Sequence, residues 1–376
     1  MKKLFAFLLS LFILFNTTIL KPQAVISPPP TLSAESAVLI DLDSKAILFE
    51  HGSDRRLGMA STTKIMTALI AAERSDINQR VKIPDEAIGV EGSSIYLQNG
   101  ETLTMEELLF ALLLQSANDA ATAIAIAVAG SIGAFADMMN ERALQMGLKN
   151  THFTNPHGLY DEEHYTTAYD LAVISAHALK NETIAKIFST YKATIPIDST
   201  CTKRVLVNHN KLLRIYKGAI GVKTGFTKKT GRCLVSAATR DGLSLVAVTL
   251  NAPDDWNDHM KMLDYGFENF ESFTVAKAGA FNYSVSAVGG KTDRVTLTNA
   301  TELRMTLPKS RTELSCKIET FHRLEFAPIL KGTELGKISY FYGDSFYTES
   351  VLICAKDFHK ASKDSSLFKK FLSLFS

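Results

Sequence analysis

Three short polar strings, Ser61-Thr62-Thr63-Lys64, Ser116-Ala117-Asn118 and Lys223-Thr224-Gly225, occur in that order along the 376 residues, each beside an apolar run. A fold that uses all three must bring a helix start, a loop between helices and a strand edge to one place. Ser61 and Lys64 are three apart, so a helix starting here presents both on one face. The stretch Thr62 to Glu73 contains no Gly or Pro and carries Ile65, Leu69 and Ala72 at near-helical spacing, which predicts a buried helix opening at Ser61. The serine would sit at the positive end of the helix dipole.

A serine hydroxyl is a poor nucleophile until a neighbouring base takes its proton. Lys64 can be that base only if its pKa falls well below about 10.4, through burial or a nearby cation. Burial of the helix supplies the first condition. Lys223 can supply the second, because a like charge disfavours protonation of Lys64.

Each string is weak alone. S-x-x-K recurs at Ser189-Lys192 and Ser366-Lys369, and K-T-G at Lys229-Thr230-Gly231, so order and context must decide. Ser189 follows the S-x-N string, and Ser366 lies in a polar and aromatic tail. Lys223 follows the strand-like lead Ala219-Ile220-Gly221-Val222, placing it at the end or edge of a strand. Lys229 reads as a solvated turn residue before the strand Leu234 to Thr239. Thr104-Met105-Glu106-Glu107 has a capping-box pattern opening a helix from Met105 to Gln115. Its run Leu108 to Leu114 is too short for a bilayer. Ser116 and Asn118 then fall in the loop before an Ala-rich helix from about Asp119 to Ala129.

With these residues in hand, the chain resembles the low-molecular-mass penicillin-binding proteins that are D-alanyl-D-alanine carboxypeptidases, serine peptidases of the S11 type. The resemblance covers roughly Ala37 to Phe267. It extends to Gly58-Met59-Ala60, Asn155-Pro156-His157-Gly158-Leu159, His164-Tyr165-Thr166-Thr167-Ala168-Tyr169-Asp170 and Asn208-His209-Asn210-Lys211-Leu212-Leu213. It implies that Ser61 attacks the bond between two D-alanines of a peptidoglycan stem peptide and forms an acyl-enzyme, with Lys64 as proton acceptor. Ser116 would relay a proton to the leaving amine, and Asn118 would bind the substrate amide and help hold Lys64. Lys223 and Thr224, in the string closed by Gly225, would bind the terminal carboxylate through charge-assisted contacts. The backbone N–H groups of Ser61 and Phe226 would form the oxyanion hole. β-Lactam antibiotics are expected to acylate the same serine. No metal or other cofactor is implied.

Rivals differ in identifiable residues. Class A β-lactamases share the three-string plan but add a glutamate in an E-x-x-L-N string that activates water. Between Ser116 and Lys223 the nearest approximation is Glu141-Arg142-Ala143-Leu144-Gln145, inside a helical pattern from Ile132 to Met146. Slow acylation by penicillin is therefore expected, not fast hydrolysis. Endopeptidase action on cross-linked peptides also cleaves after D-alanine and stays open. A non-catalytic wall-binding scaffold would require the three strings to be vestigial. In some relatives an arginine follows the last sheet strand and helps bind the carboxylate, whereas Pro253 to His259 offers none.

Lys2 and Lys3 precede the apolar run Leu4 to Phe15, and polar residues with Pro22 lead to Ala24, the pattern of a secretory signal. Export to the periplasm or the outer face of the cytoplasmic membrane follows, with residues 1–24 as signal and 25–270 as the catalytic domain. The expected fold is α/β of the penicillin-binding transpeptidase type, an antiparallel sheet flanked by helices. It includes a hairpin from Ala37 to Leu42 and Ala46 to Glu50, and strands Leu234 to Thr239 and Leu243 to Asn251. From about Thr274 short alternating runs such as Arg294 to Thr298 and Lys337 to Tyr342 predict a small all-β domain over 271–355. Residues 356–376 end in Leu367, Phe368, Phe371, Leu372 and Phe375 at helical spacing with Lys369 and Lys370 alongside. That is a short amphipathic segment suited to lying on a membrane surface. A net charge of +2 argues against a nucleic-acid partner. Four cysteines admit pairing of Cys201 with Cys233 and of Cys316 with Cys354, or buried free thiols. His157, His164 and His209 have no metal-ligand spacing and read as structural or substrate-edge residues.

Overall fold

The computed structural model describes residues 27–197, 202–310 and 314–361. Residues 1–24, expected to be a signal sequence, Cys201 and the run from Leu367 to Phe375 expected to be amphipathic lie outside the described residues.

The chain opens with an antiparallel hairpin, β1 (Ser36–Asp41) against β2 (Ile47–His51), with Val38 opposite Glu50. A tight 3-10 turn, Ala60–Thr63, leads into helix α1 (Lys64–Arg74). Strands β3 (Arg80–Lys82) and β4 (Thr102–Thr104) pair with each other. Helices α2 (Met105–Leu114), α3 (Asn118–Ala129), α4 (Ile132–Gln145), α5 (Ala168–Leu179) and α6 (Glu182–Ser189) follow. A hairpin of β5 (Lys192–Pro196) and β6 (Lys203–Val207) and the short α7 (Leu212–Ile215) precede β7 (Ala219–Thr227), β8 (Gly231–Arg240), β9 (Leu243–Leu250) and α8 (Asp255–Asn269).

The central sheet runs β2-β1-β9-β8-β7, every pair antiparallel. All of β1 is buried because both faces of the sheet are covered. On one face Val38, Ile40, Val235 and Val246 pack with α1, α2, α3 and α5; on the other Leu39, Leu234 and Leu245 meet Met262 and Leu263 of α8. This is the antiparallel sheet between helical layers that the sequence predicts, with β7 at the open edge.

Two local differences have physical causes. The α-helix begins at Lys64, not Ser61, because the Thr62 and Thr63 hydroxyls donate to Met59 O (2.5 Å) and Ala60 O (2.8 Å) and hold a tighter turn. The Cys316–Cys354 pairing fails as well. Both thiols are free, as is Cys233, and β16 (Glu334–Tyr342) separates the strand of Cys316 from that of Cys354.

The second lobe is all β. Strand β10 (Phe270–Ala276) pairs with β13 (Leu303–Pro308). A six-stranded sheet runs β14-β16-β17-β12-β11-β15, from β14 (Leu314–Thr320), β17 (Ser345–Cys354), β12 (Arg294–Asn299), β11 (Tyr283–Val288) and β15 (Glu325–Phe326). Its core includes Leu297, Met305, Ile338 and Leu352. The lobes meet where Thr306 Oγ1 donates to Asp41 Oδ2 (3.0 Å) and an Arg304 guanidinium N–H donates to Gly242 O (3.1 Å). Among the described residues no single helix is long and apolar enough to cross a membrane.

Candidate active site

The turn at Ala60–Thr63 fixes Ser61 at the mouth of a cleft and puts Lys64 behind it. Lys64 is fully buried, and its Nζ donates to Ser61 Oγ (3.0 Å), Asn118 Oδ1 (2.7 Å) and His157 O (2.6 Å). Three acceptors use all three donors of an ammonium. Burial holds the Lys64 pKa well below its ordinary value; Lys223 lowers it further and Asp119 opposes. A hydrogen-bonded amine that sheds its proton readily is the form a general base needs.

The middle string supplies the second wall. Thr104 caps α2 through a reciprocal box with Glu107, and α2 ends at Leu114, two residues before Ser116. Ser116 has φ +59°, a left-handed conformation uncommon for a residue with a Cβ. It turns the chain sharply from α2 into α3. Its buried Oγ has no hydrogen-bond partner among the described residues and lines the cleft. Asn118 is held on both sides, by Nδ2 to Glu91 O (2.5 Å) and by its own N–H to Ser93 O (2.7 Å).

Strand β7 forms the third wall. Lys223 is buried, donates to Thr224 O (2.8 Å), and burial lowers its pKa to about 7. Thr224, Gly225 and Phe226 line the cleft. Gly225 permits a close approach: a Cβ there would lie 3.0 Å from Ser61 N and 3.1 Å from Thr62 N, tighter than such contacts ordinarily run. The strand backbone thus runs directly against the nucleophile turn. The eight residues singled out from the sequence are brought to this one region, around a cleft of about 410 Å³.

The competing strings within the described residues lie elsewhere, and Ser366 with Lys369 falls outside those residues. Ser189 is exposed at the end of α6, its Oγ bonded to Lys186 O (3.0 Å). Lys229 sits in the β7–β8 turn over the Tyr160 ring. Glu141 is on α4 in a groove with Ile70 and Glu73, away from the cleft. Burial keeps His157 and His164 neutral, lowering their pKa values to about 3 and about 4. His164 Nε2 lies 2.8 Å from Thr63 Oγ1, bracing the turn. His209 lines the cleft.

Sequence reasoning missed several cleft residues: Ser93, Lys211, Arg232, Asp255 and Trp256. Arg232 lies opposite Phe226 in the β7–β8 register and pairs with Asp255 at 3.0 Å. One signal was available, since Arg232 directly follows the β7–β8 turn and a two-strand hairpin puts it beside the K-T-G strand.

A family model described as D-alanyl-D-alanine carboxypeptidase matches residues 23–254, and one for the C-terminal domain of penicillin-binding protein 5 matches residues 270–360. The D-alanyl-D-alanine carboxypeptidase DacF of Bacillus subtilis is 35% identical over 87% of this chain and 86% of its own length. DacA of Escherichia coli K12, also a D-alanyl-D-alanine carboxypeptidase, is 30% identical over 85% and 82%. Penicillin-binding protein 5 of Haemophilus influenzae superposes with TM-score 0.77 at 30% identity, covering 89% of this chain and 100% of that structure. The chain is a serine-type peptidase, a hydrolase built on the penicillin-binding fold. It belongs to the D-alanyl-D-alanine carboxypeptidase family.

Proposed function

We propose that Ser61 is the nucleophile with which this carboxypeptidase removes the terminal D-alanine from peptidoglycan stem pentapeptides. The observation that carries the assignment is the buried Lys64 amine 3.0 Å from Ser61 Oγ, held by Asn118 and His157 O. Lys64 takes the hydroxyl proton as Oγ attacks the penultimate D-alanine carbonyl. The Ser61 and Phe226 N–H groups receive the developing oxyanion. The unpartnered Ser116 hydroxyl passes a proton to the leaving amine, and D-alanine departs. Asn118 orients the substrate amide while Lys223 and Thr224 meet its terminal carboxylate. Water then releases the shortened peptide from the serine. Penicillins acylate the same oxygen, and because no carboxylate of the class A kind faces it among the described residues, their release is slow.

The chain works outside the cytoplasm, exported by residues 1–24 and held at the membrane surface by its basic amphipathic C-terminal segment. The charge pattern of those two segments supports this placement.

The test measures D-alanine release from a pentapeptide ending in D-Ala-D-Ala, with Ser61→Ala and Lys64→Ala alongside, and penicillin labelling of each. Release by the parent, loss of both release and labelling in Ser61→Ala, and a fall of at least about a hundredfold in Lys64→Ala are expected. Labelling at Ser61 without release from the pentapeptide would move the substrate to cross-linked peptides. Labelling that survives Ser61→Ala would overturn the assignment.

A further inference from the structure

The six-stranded sheet of the β lobe has two dissimilar ends. At one end β17 turns toward the catalytic lobe, where the Tyr347 hydroxyl lies 3.3 Å from Ser44 Oγ. The other end gathers the C-termini of β11, β14 and β17 with the N-termini of β12 and β16. From Tyr347 to Cys354 along β17 is roughly 23 Å at about 3.3 Å per residue.

At this far end large apolar side chains face solvent: Phe321, Leu324, Phe326, Leu330 and Val288, with Phe326 67% and Leu330 69% exposed. Val288 and Phe326 are neighbours, since they pair across β11 and β15 and Ala327 N donates to Val288 O, while Phe321 follows the C-terminus of β14 and Leu330 lies two residues before Gly332, whose N–H donates to Cys354 O at the end of β17. Clustered exposed apolar surface marks an interaction site more often than scattered residues do. The adjoining segments 288–294, 321–334 and 356–361 expose Lys291, Arg294, Arg323, Lys331, Lys356 and Lys360 against Asp293, Glu334 and Asp357, six cations to three anions. The described chain also leaves the lobe here, for Lys360 bridges Gly290 and Ala361 N donates to Gly289 O. Residues 362–376, beyond this exit, carry Lys363, Lys369 and Lys370 against Asp364.

We propose that this tip is a membrane-docking surface: its apolar side chains enter the interface of an anionic lipid leaflet while its basic rim meets the headgroups. The charge chooses the occupant. Covering the tip with the basic C-terminal segment would set like charges together, whereas an anionic leaflet satisfies both. A short amphipathic segment alone gives marginal, reversible binding, and a second adjacent contact makes it firm. The tip then fixes orientation, standing the β lobe on the membrane with the catalytic lobe at its other end. This inference rests on the reading that the C-terminal segment lies on the membrane, and the experiment separates the two.

Partitioning of the full-length exported chain is measured on vesicles of phosphatidylglycerol with phosphatidylcholine, and on phosphatidylcholine alone. The tip variant carries Phe326→Asp with Leu330→Asp, and the segment variant Phe371→Asp with Leu372→Asp. A second tip variant, Arg323→Glu with Lys331→Glu, changes only exposed charges and guards against misfolding. Both tip variants should bind anionic vesicles roughly tenfold more weakly than the parent, with penicillin acylation unchanged. Parent-like partitioning of both tip variants overturns the docking surface, and so does a parent that ignores anionic vesicles. A segment variant that binds like the parent, beside tip variants that do not, refutes the segment reading and leaves the tip supported.

Discussion

At the residue scale two lysines of the site share a condition, since burial lowers the pKa of each and makes its proton easier to lose. For Lys64 this is useful, because a neutral amine can accept the serine proton. For Lys223 it is a difficulty, because a pKa of about 7 leaves it protonated below that pH and increasingly neutral above it, while a substrate carboxylate needs a lasting cation. Arg232 meets the need. Its planar guanidinium has the fork geometry that matches a carboxylate, lines the cleft, and is held by Asp255. Arg232→Ala should therefore raise KM for the pentapeptide roughly tenfold to a hundredfold, the worth of a hydrogen bond to a charged group. The rise should steepen with pH above about 7 as Lys223 gives up its proton, while the parent KM stays flatter. A bound carboxylate favours the Lys223 cation and shifts the loss upward in pH. KM and kcat across pH check this; an unchanged KM at every pH would remove Arg232 from recognition.

At the scale of elements, catalysis depends on how closely β7 approaches the turn carrying Ser61. Gly225→Ala sets a Cβ 3.0 Å from Ser61 N and 3.2 Å from Ala60 Cβ, closer than such contacts ordinarily run, so strand and turn must separate. A displacement of a few tenths of an ångström misaligns nucleophile and oxyanion donors, and penicillin acylation should slow by about tenfold or more. The melting temperature should change little, because the strand remains paired to β8 along its other edge; stopped-flow acylation and calorimetry measure both. The element boundaries behind this geometry were largely legible. The capping box at Thr104 and Glu107, the short apolar runs of the first hairpin and the strand-like lead to Lys223 are local signals, and local physics reads them. The brace around Lys64 was legible only in its Asn118 contact, because two of its anchors, His157 O and the Glu91 O that holds Asn118, are backbone carbonyls with no side-chain signature. Arg232 escaped for a related reason: its importance depends on strand register and on a partner, Asp255, supplied by the first turn of α8. The 3-10 turn at Ser61 arose from two threonine hydroxyls choosing backbone acceptors, a choice invisible to periodicity. The cysteine pairing failed because sequence spacing does not reveal that β16 lies between β14 and β17.

At the scale of the whole molecule, the side-chain hydrogen bonds between the two lobes include a polar cluster in which Asp41 is central. Its Oδ1 accepts from Ser44 N (2.7 Å) and Ser44 Oγ (2.6 Å), and its Oδ2 accepts from Thr306 across the junction. Asp41 is buried, so removing the Thr306 donor leaves a carboxylate oxygen short of a partner, at a cost of about 1–3 kcal/mol. The site is shielded from that change by topology. Asp41 ends β1, and β9 and β8 separate β1 from β7, about 14 Å at the usual strand spacing. Thr306→Val should therefore weaken the coupling between lobes without touching the chemistry. Polar junctions of this kind leave domains free to move and unfold separately, so calorimetry of the variant should resolve two transitions, or split them further than in the parent. Penicillin acylation and D-alanine release should remain at parental rates. If a single transition persists and both rates fall together, the β lobe must be part of what holds the cleft in shape, and the independence inferred from the strand order is wrong.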